Sequence, residues 1–289
     1  MALSGIQIYK MLPQTNCKEC GFPTCLAFAM KLAAKQVELG SCPYVSEASK
    51  KQLAESAAPP IRLVTLKAGT EVKAGNEVCL FRHEKTFYNK TGIFIRVNAS
   101  DPDLAKKVAA ADAYKVNYVG MDFTVDGFAL VGDADMAAAV KTVRGATKRP
   151  LILIGDTNAL QAGLSACGGE TPMLYAADAS NADALADLAK GKASLAVKAD
   201  SLDALADLTQ KIQAKGVEDM ALDLGAKNMS EWLTRSTQVR RLALKNFRAL
   251  GYPVIAFPCD AKDEAVAAAQ AISKSAGFIV LSEFKPELL

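Results

Sequence analysis

At 289 residues, 51% of them hydrophobic, the chain is long enough to bury one large core or two smaller ones. A net charge of +3, from 34 basic and 31 acidic residues, leaves no electrostatic footprint for nucleic acid. The N-terminus has no charged stretch leading into an apolar run, and nowhere do about 18 apolar residues run uninterrupted, so the expectation is a soluble cytoplasmic protein without a membrane span.

Residues 1–57 read as a compact helical unit. Ser4 or Gly5 opens a short helix through Leu12, stopped by Pro13, and Thr24 caps a second from Cys25 to Leu39, stopped by Gly40. On that second helix Leu26, Met30, Ala33 and Val37 share one face, the predicted inside, while Lys31, Lys35 and Glu38 lie away from it. The polar run Ser49-Lys50-Lys51-Gln52 leads to Ala57-Ala58-Pro59-Pro60. Consecutive prolines cannot continue a helix, so residues 58–60 are the expected linker to a second domain over 61–289.

Four of the seven cysteines, Cys17, Cys20, Cys25 and Cys42, lie in that small unit at spacing C-x2-C-x4-C-x16-C. Clustering and an odd total argue against a secreted disulfide framework and for thiolates kept reduced as metal ligands. Structural zinc also takes four thiolates, usually as two widely separated C-x2–4-C pairs, and stays open. Three crowded cysteines and a distant Cys42-Pro43 match the spacing that holds a [4Fe–4S] cube. A unit of under about 60 residues buries too little apolar surface to rest on its core alone, and a metal centre is a usual remedy. Cys25 on the first helical turn would set free helix N–H groups beside the cluster sulfur, with Phe22, Pro23 and Pro43 excluding water.

After Pro60, Ile61–Gly69 reads as an extended lead-in. Strand-like runs follow at Val78–Arg82, Ile93–Val97, Asn117–Asp122, Leu151–Asp156, Pro172–Ala177, Ser194–Ala199, Met220–Gly225, Pro253–Pro258 and Phe278–Ser282. Between them come helical patterns at Asp101–Tyr114, Asp133–Thr147, Thr157–Cys167, Asn181–Lys190, Ser201–Lys215, Asn228–Leu250 and Asp260–Ser275. With Val78–Arg82 set aside as an extra strand or cap, this α/β alternation predicts a TIM (β/α)8 barrel whose last helix is missing, because the chain stops soon after its eighth strand.

Barrel chemistry sits at the C-terminal strand ends, here Asn98, Asp122, Asp156, Asp178, Lys198, Asp200, Asp223, Asp260 and Glu283. Such a ring of acids could bind a pterin or protonate a substrate nitrogen, but Asp after a strand is also a favoured helix cap. No residue is assigned a catalytic role. His83, the one histidine, sits beside charged neighbours and reads as a packing or hydrogen-bonding residue. Cys79, Cys167 and Cys259 read as buried free cysteines. Arg235, Arg240, Arg241, Lys245 and Arg248 make the Asn228–Leu250 helix a solvated basic face, with docking as a second reading. Ala166-Cys-Gly-Gly169 matches neither a P-loop nor a dinucleotide fingerprint.

The cysteine module, the Pro-Pro linker and the barrel together resemble the large (gamma) subunit of the corrinoid iron–sulfur protein of the reductive acetyl-CoA pathway. The blocks Gly5-Ile-Gln-Ile-Tyr-Lys-Met-Leu-Pro13 and Leu80-Phe-Arg-His-Glu-Lys-Thr-Phe-Tyr-Asn89 carry the same resemblance, which runs over the whole chain. It implies a methyl carrier: cobalt takes a methyl group from methyltetrahydrofolate or a related pterin on a methyltransferase and delivers it to acetyl-CoA synthase. It also implies that a [4Fe–4S] cluster on Cys17, Cys20, Cys25 and Cys42 returns Co(II) to Co(I). Implied partners are a smaller barrel subunit in a heterodimer, the methyltransferase and acetyl-CoA synthase/CO dehydrogenase. The family's corrinoid sits on a C-terminal domain not expected here, so no corrinoid-binding residue is assigned. Two other readings stand beside this one: a pterin-dependent methyltransferase barrel using Asp122, Asp156 or Asp223, and a redox adaptor whose barrel is a scaffold.

Overall fold

A computed structural model of the protein describes residues 4–34, 36–50, 53, 59–133 and 135–288. The chain divides into two compact units, Met1–Pro59 and Pro60–Leu289. Lys35, Lys51, Gln52, Ala57 and Ala58, which figured in the predicted second helix, polar run and linker, lie outside the described residues.

In the first unit α1 (Gly5–Met11) opens with a capping box: Ser4 Oγ accepts from the Gln7 amide, and Gln7 Oε1 accepts from the Ser4 amide at 2.9 Å. The second helix, α2 (Cys25–Ala33), is capped by Thr24 as expected. It ends at Ala33 rather than Leu39, and a separate 3-10 turn spans Leu39–Ser41. The predicted inner face is also displaced, because α2 buries Cys25, Phe28 and Ala29 while Leu26 and Met30 are exposed. Phe28 decides the rotation. Its ring packs 5.7 Å from that of Phe22, and burying the largest apolar side chain gains more than burying Leu26. Ile8, Leu12, Cys25, Phe28, Ala29, Cys42, Val45 and Leu53 form the core of this unit.

The second unit begins with an antiparallel hairpin, β1 (Val64–Lys67) and β2 (Glu71–Ala74). Both strands alternate buried and exposed residues, the period-two signature hidden in the predicted lead-in. Eight parallel strands then close a barrel in the order β3 (Gly92–Asn98), β6 (Gly127–Val131), β7 (Leu151–Ile154), β8 (Met173–Ala177), β9 (Ser194–Lys198), β10 (Met220–Asp223), β11 (Val254–Ala256) and β12 (Ala276–Leu281). Helices α3 (Leu104–Ala113), α4 (Met136–Ala146), α5 (Thr157–Ala166), α6 (Ala182–Ala189), α7 (Leu202–Ala214), α8 (Met229–Leu244) and α9 (Glu264–Lys274) alternate with them. Among the described residues, β12 is followed only by a 3-10 turn at Pro286–Leu288.

Val64, Leu66, Val72 and Ala74 of the hairpin pack with Phe94, Ala129, Ile152, Met173 and Phe278 inside the barrel. A Cβ on Gly92 would stand 2.7 Å from Val72 and one on Gly277 2.8 Å from Ala74, so these two positions admit only glycine at this closeness. Gly92 begins β3 and Gly277 lies near the start of β12. The hairpin therefore stoppers the N-terminal mouth and leaves the C-terminal mouth for chemistry.

Two strand expectations fail. Val78–Arg82 forms turns rather than a strand. Asn117–Asp122 is no barrel strand but part of an exposed hairpin, β4 (Val116–Tyr118) and β5 (Met121–Phe123), and the barrel strand is Gly127–Val131. The two stretches look alike in β propensity, but only Gly127–Val131 finds a neighbour on each side and buries its first four residues. The helix predicted over Asn228–Leu250 stops at Leu244, where Asn246 turns left-handed at φ 68°, and the one predicted from Asp260 starts at Glu264 behind its cap Asp263.

Candidate metal centre and barrel mouth

In the small unit Cys25 and Cys42 are buried in the same core, Cys20 packs against it half-buried, and Cys17 is exposed. The Cys17 loop is tied to α2 by Asn16, whose Oδ1 accepts the Cys25 amide at 2.8 Å. That loop is sharply turned, with Asn16 at φ 51°, Lys18 at φ 67° and Gly21 at φ 80°. Asn16 takes the first N–H of α2 and Thr24 Oγ1 takes the third, so fewer helix amides face the thiols than the sequence implied. On the far side the Tyr44 hydroxyl donates to Glu19 at 2.7 Å. That hydrogen bond first, with Cys17 and Cys42 pushing the same way, holds the Tyr44 phenol above its ordinary pKa.

Among the described residues, no three His, Cys, Asp or Glu side chains already form a metal cage. The donor set fits an iron–sulfur cluster in kind: all four sulfurs are free thiols, three belong to or pack on one apolar core, and Asn16, next to Cys17 in the chain, is hydrogen-bonded to the Cys25 amide.

The barrel mouth is built by neighbouring strand ends. Tyr175 on β8 donates to Asp223 Oδ2 on β10 at 2.5 Å, and Lys198 at the end of β9 stands 3.4 Å from the Tyr175 oxygen and 3.9 Å from Asp223. Asp223 Oδ1 accepts the Gly225 amide. Burial, reinforced by Asp223, raises the Tyr175 hydroxyl far above its ordinary value and keeps it a donor. Arg96 on β3 pairs with Asp260 at 3.1 Å, and burial followed by Asp260 pushes the Cys259 thiol up to about 12. A cavity of about 340 Å³ opens among Tyr175, Lys198, Asp223, Trp232, Phe257 and Gln270.

The predicted ring of acids divides. Lys198, Asp200, Asp223 and Asp260 line the cavity, whereas Asp156 caps α5 and Asp178 is used by Ser180 and Asn181. Glu283 pairs with Lys285, and Asn98 ends β3 away from the cavity lining. Asp122 lies off the mouth altogether, on the exposed hairpin with Lys115 and Asn117. His83 is exposed and stacks on Phe81 at 5.3 Å. Of the other cysteines only Cys167 is fully buried, while Cys79 and Cys259 are half-buried. The basic face of α8 is smaller than expected, because Arg235 donates to the Leu224 carbonyl and Arg240 is buried over Phe87 beside Arg82. Tyr175 and Trp232 escaped the sequence reading. Their signal was an aromatic residue inside the strand run Pro172–Ala177 and one on the first turn of the helix that follows β10.

Comparison with known proteins bears on both units. Residues 12–44 match the model of a putative Fe-S cluster family, and residues 63–289 match that of the CO dehydrogenase/acetyl-CoA synthase delta subunit. The chain is 43% identical, over its whole length, to the corrinoid/iron-sulfur protein large subunit of Moorella thermoacetica, of which it covers 68%. This chain belongs to that family. It is also 35% identical to the acetyl-CoA decarbonylase/synthase complex subunit gamma 2 of Methanosarcina mazei, with 89% of this chain and 59% of that protein aligned. The gamma subunit from Archaeoglobus fulgidus is 33% identical over 88% of this chain and 59% of its own length. The chain thus spans about three fifths to two thirds of the length of these relatives. The archaeal family members are subunits of a larger complex, and among the described residues of this chain no helix is long and apolar enough to cross a membrane.

Proposed function

We propose that this chain carries the cluster and barrel portions of a cytoplasmic corrinoid/iron–sulfur protein large subunit, with Cys17, Cys20, Cys25 and Cys42 as the cluster ligands. The observation that carries the reading is the coincidence of 43% identity over the whole of this chain with a four-cysteine set, three of them in or against one core. A [4Fe–4S] cluster held there supplies one-electron reduction at low potential, which in this family's chemistry serves to return a corrinoid cobalt to its methyl-accepting state. This chain's own residues provide the housing. Phe22 and Phe28 wall the core, Asn16 fixes the approach of the Cys17 loop to α2, and Tyr44 and Glu19 form the polar outer edge.

In this reading the whole protein carries a methyl group from a methylated folate or pterin, presented by a methyltransferase, to acetyl-CoA synthase/CO dehydrogenase, and pairs with a smaller barrel subunit. Residues 58–60 are the proposed linker between the two units. A methyltransferase barrel of its own is less well supported: of the three acids it would use, only Asp223 lines the mouth cavity.

Anaerobic reconstitution tests the ligand assignment. The expected product holds about four iron and four sulfide per chain and gives an EPR signal on reduction. A zinc-only, EPR-silent product overturns it.

A further inference from the structure

Helix α2 begins on one of the proposed ligands, Cys25, so the N–H groups of its first turn belong to that ligand and to the residues just after it. Such groups have no partner within the helix and are taken by capping side chains, by water or by a ligand, of which a cluster sulfur at that turn is one. Here most are already taken. Asn16 Oδ1 accepts the Cys25 amide at 2.8 Å, Thr24 Oγ1 accepts the Ala27 amide at 3.1 Å, and the Thr24 carbonyl accepts the Phe28 amide at 3.1 Å. Two of these three acceptors are side chains, and Asn16 reaches α2 from nine residues upstream. Its backbone stands in the left-handed region at φ 51°, where asparagine is among the favoured non-glycine residues. Hydrogen bonds to the sulfurs are one of the terms that set an iron–sulfur potential: reduction adds negative charge, and an N–H donor stabilises it. Amides committed elsewhere leave the potential lower. The apolar core around Cys25 and Cys42 acts in the same direction, because burial penalises added charge.

We propose that Asn16 and Thr24 are positioning residues that keep the cluster a strong reductant by holding the Cys25 and Ala27 amides away from its sulfur. The proposal rests on the assignment of Cys25 as a ligand and goes beyond it, giving two side chains that touch no metal a part in setting the potential. As helix caps alone they would contribute to the stability of α2 and leave the potential where it is. The two roles are therefore separable by measurement.

The test reconstitutes the full chain anaerobically and reads the cluster potential by EPR-monitored redox titration. Thr24→Val removes one acceptor at nearly constant volume, and Asn16→Ala removes the other. Each is expected to raise the potential by the worth of one hydrogen bond to a charged group, about tenfold in the reduction equilibrium or about 59 mV for one electron. Thr24→Ser, which keeps its acceptor, is expected to leave the potential at the parent value, and Asn16→Asp is expected not to raise it. In the ¹⁵N-labelled chain, pulsed EPR of the reduced cluster is expected to show stronger coupling to peptide nitrogen in Thr24→Val and Asn16→Ala than in the parent, a change that water entering a loosened site would not give. An unchanged potential in both loss variants, a rise without the stronger nitrogen coupling, an equal rise in Thr24→Ser, or loss of the cluster from both loss variants overturns the proposal and leaves the ligand assignment standing. A parent chain that assembles no iron–sulfur cluster overturns the ligand assignment and the proposal with it.

Discussion

In residues 1–59 the buried core comprises Ile8, Leu12, Cys25, Phe28, Ala29, Cys42, Val45 and Leu53, two of which are proposed cluster ligands. The barrel unit instead buries two full layers. One, around Phe94, Ile152, Met173 and Phe278, fills the barrel; the other, around Val108, Val140, Leu160 and Leu205, joins strands to helices. Apolar area buried scales the hydrophobic term, so the second unit has a large core of its own, while the first has a small one that the proposed cluster would reinforce. The difference teaches where function and stability are separable. In the small unit two of the four proposed ligands, Cys25 and Cys42, are core residues, and in the barrel the mouth residues stand on top of a separate core.

The largest effect that would break this comparison is at Cys20. Cys20→Ala is expected to abolish iron retention and most structure in residues 1–57 while the barrel keeps its thermal transition, as read by iron analysis, limited proteolysis and calorimetry. If both units are lost together, they are not independent. Phe94→Ala should do the reverse. It should cost the barrel about 3–5 kcal/mol in denaturant unfolding, the usual range for a fully buried aromatic, and leave iron content unchanged.

A similar cost is expected at the N-terminal end of the barrel unit. Arg240 is 4% exposed, 3.8 Å from an equally buried Glu77, and donates to the Cys79 carbonyl. Arg240→Gln strands the Glu77 carboxylate and is expected to destabilise the barrel by about 3 kcal/mol, with Glu77→Gln in the same chain restoring part of it.

Smaller effects probe the surface of the same unit. The Asp178 carboxyl is held below its ordinary pKa, first by the Ser180 hydroxyl. A depressed carboxyl stabilises the fold above the unfolded-state value and loses that contribution as pH falls through the folded one. Asp178→Asn is therefore expected to flatten the acid limb of barrel stability and to have its full effect near neutral pH. Smallest and opposite in sign is Val119→Asn. Val119 is 80% exposed at φ 50° in the turn of the outer hairpin, where a β-branched residue is strained and Asn-Gly is the favoured pair. A gain of about 0.5–1 kcal/mol in barrel stability is expected.

That residues 12–44 belong with a putative Fe-S cluster family was readable from the chain because cysteine spacing is local, and Cys17, Cys20, Cys25 and Cys42 remain its proposed ligands. Seven of the eight barrel strands declared themselves too, since a buried parallel strand is a short apolar run between helical patterns. Gly127–Val131 lost out to Asn117–Asp122 because both are β-formers, and only burial tells them apart. The hairpin stopper failed to show for a similar reason: Val64–Lys67 and Glu71–Ala74 have ordinary alternation, and nothing local says that their apolar side enters a barrel.

What the sequence by itself determined, then, is the α/β class, seven of the eight barrel strands and a cysteine-rich stretch ahead of the barrel. Propensity, capping and ligand spacing all act over a few residues, so they survive in one dimension. What only the tertiary structure decided is which acids meet. It brought Tyr175, Lys198 and Asp223 together from three adjacent strands and sent Asp122 to an outer hairpin. Closure of the barrel sets those distances, and closure depends on the packing of every strand at once.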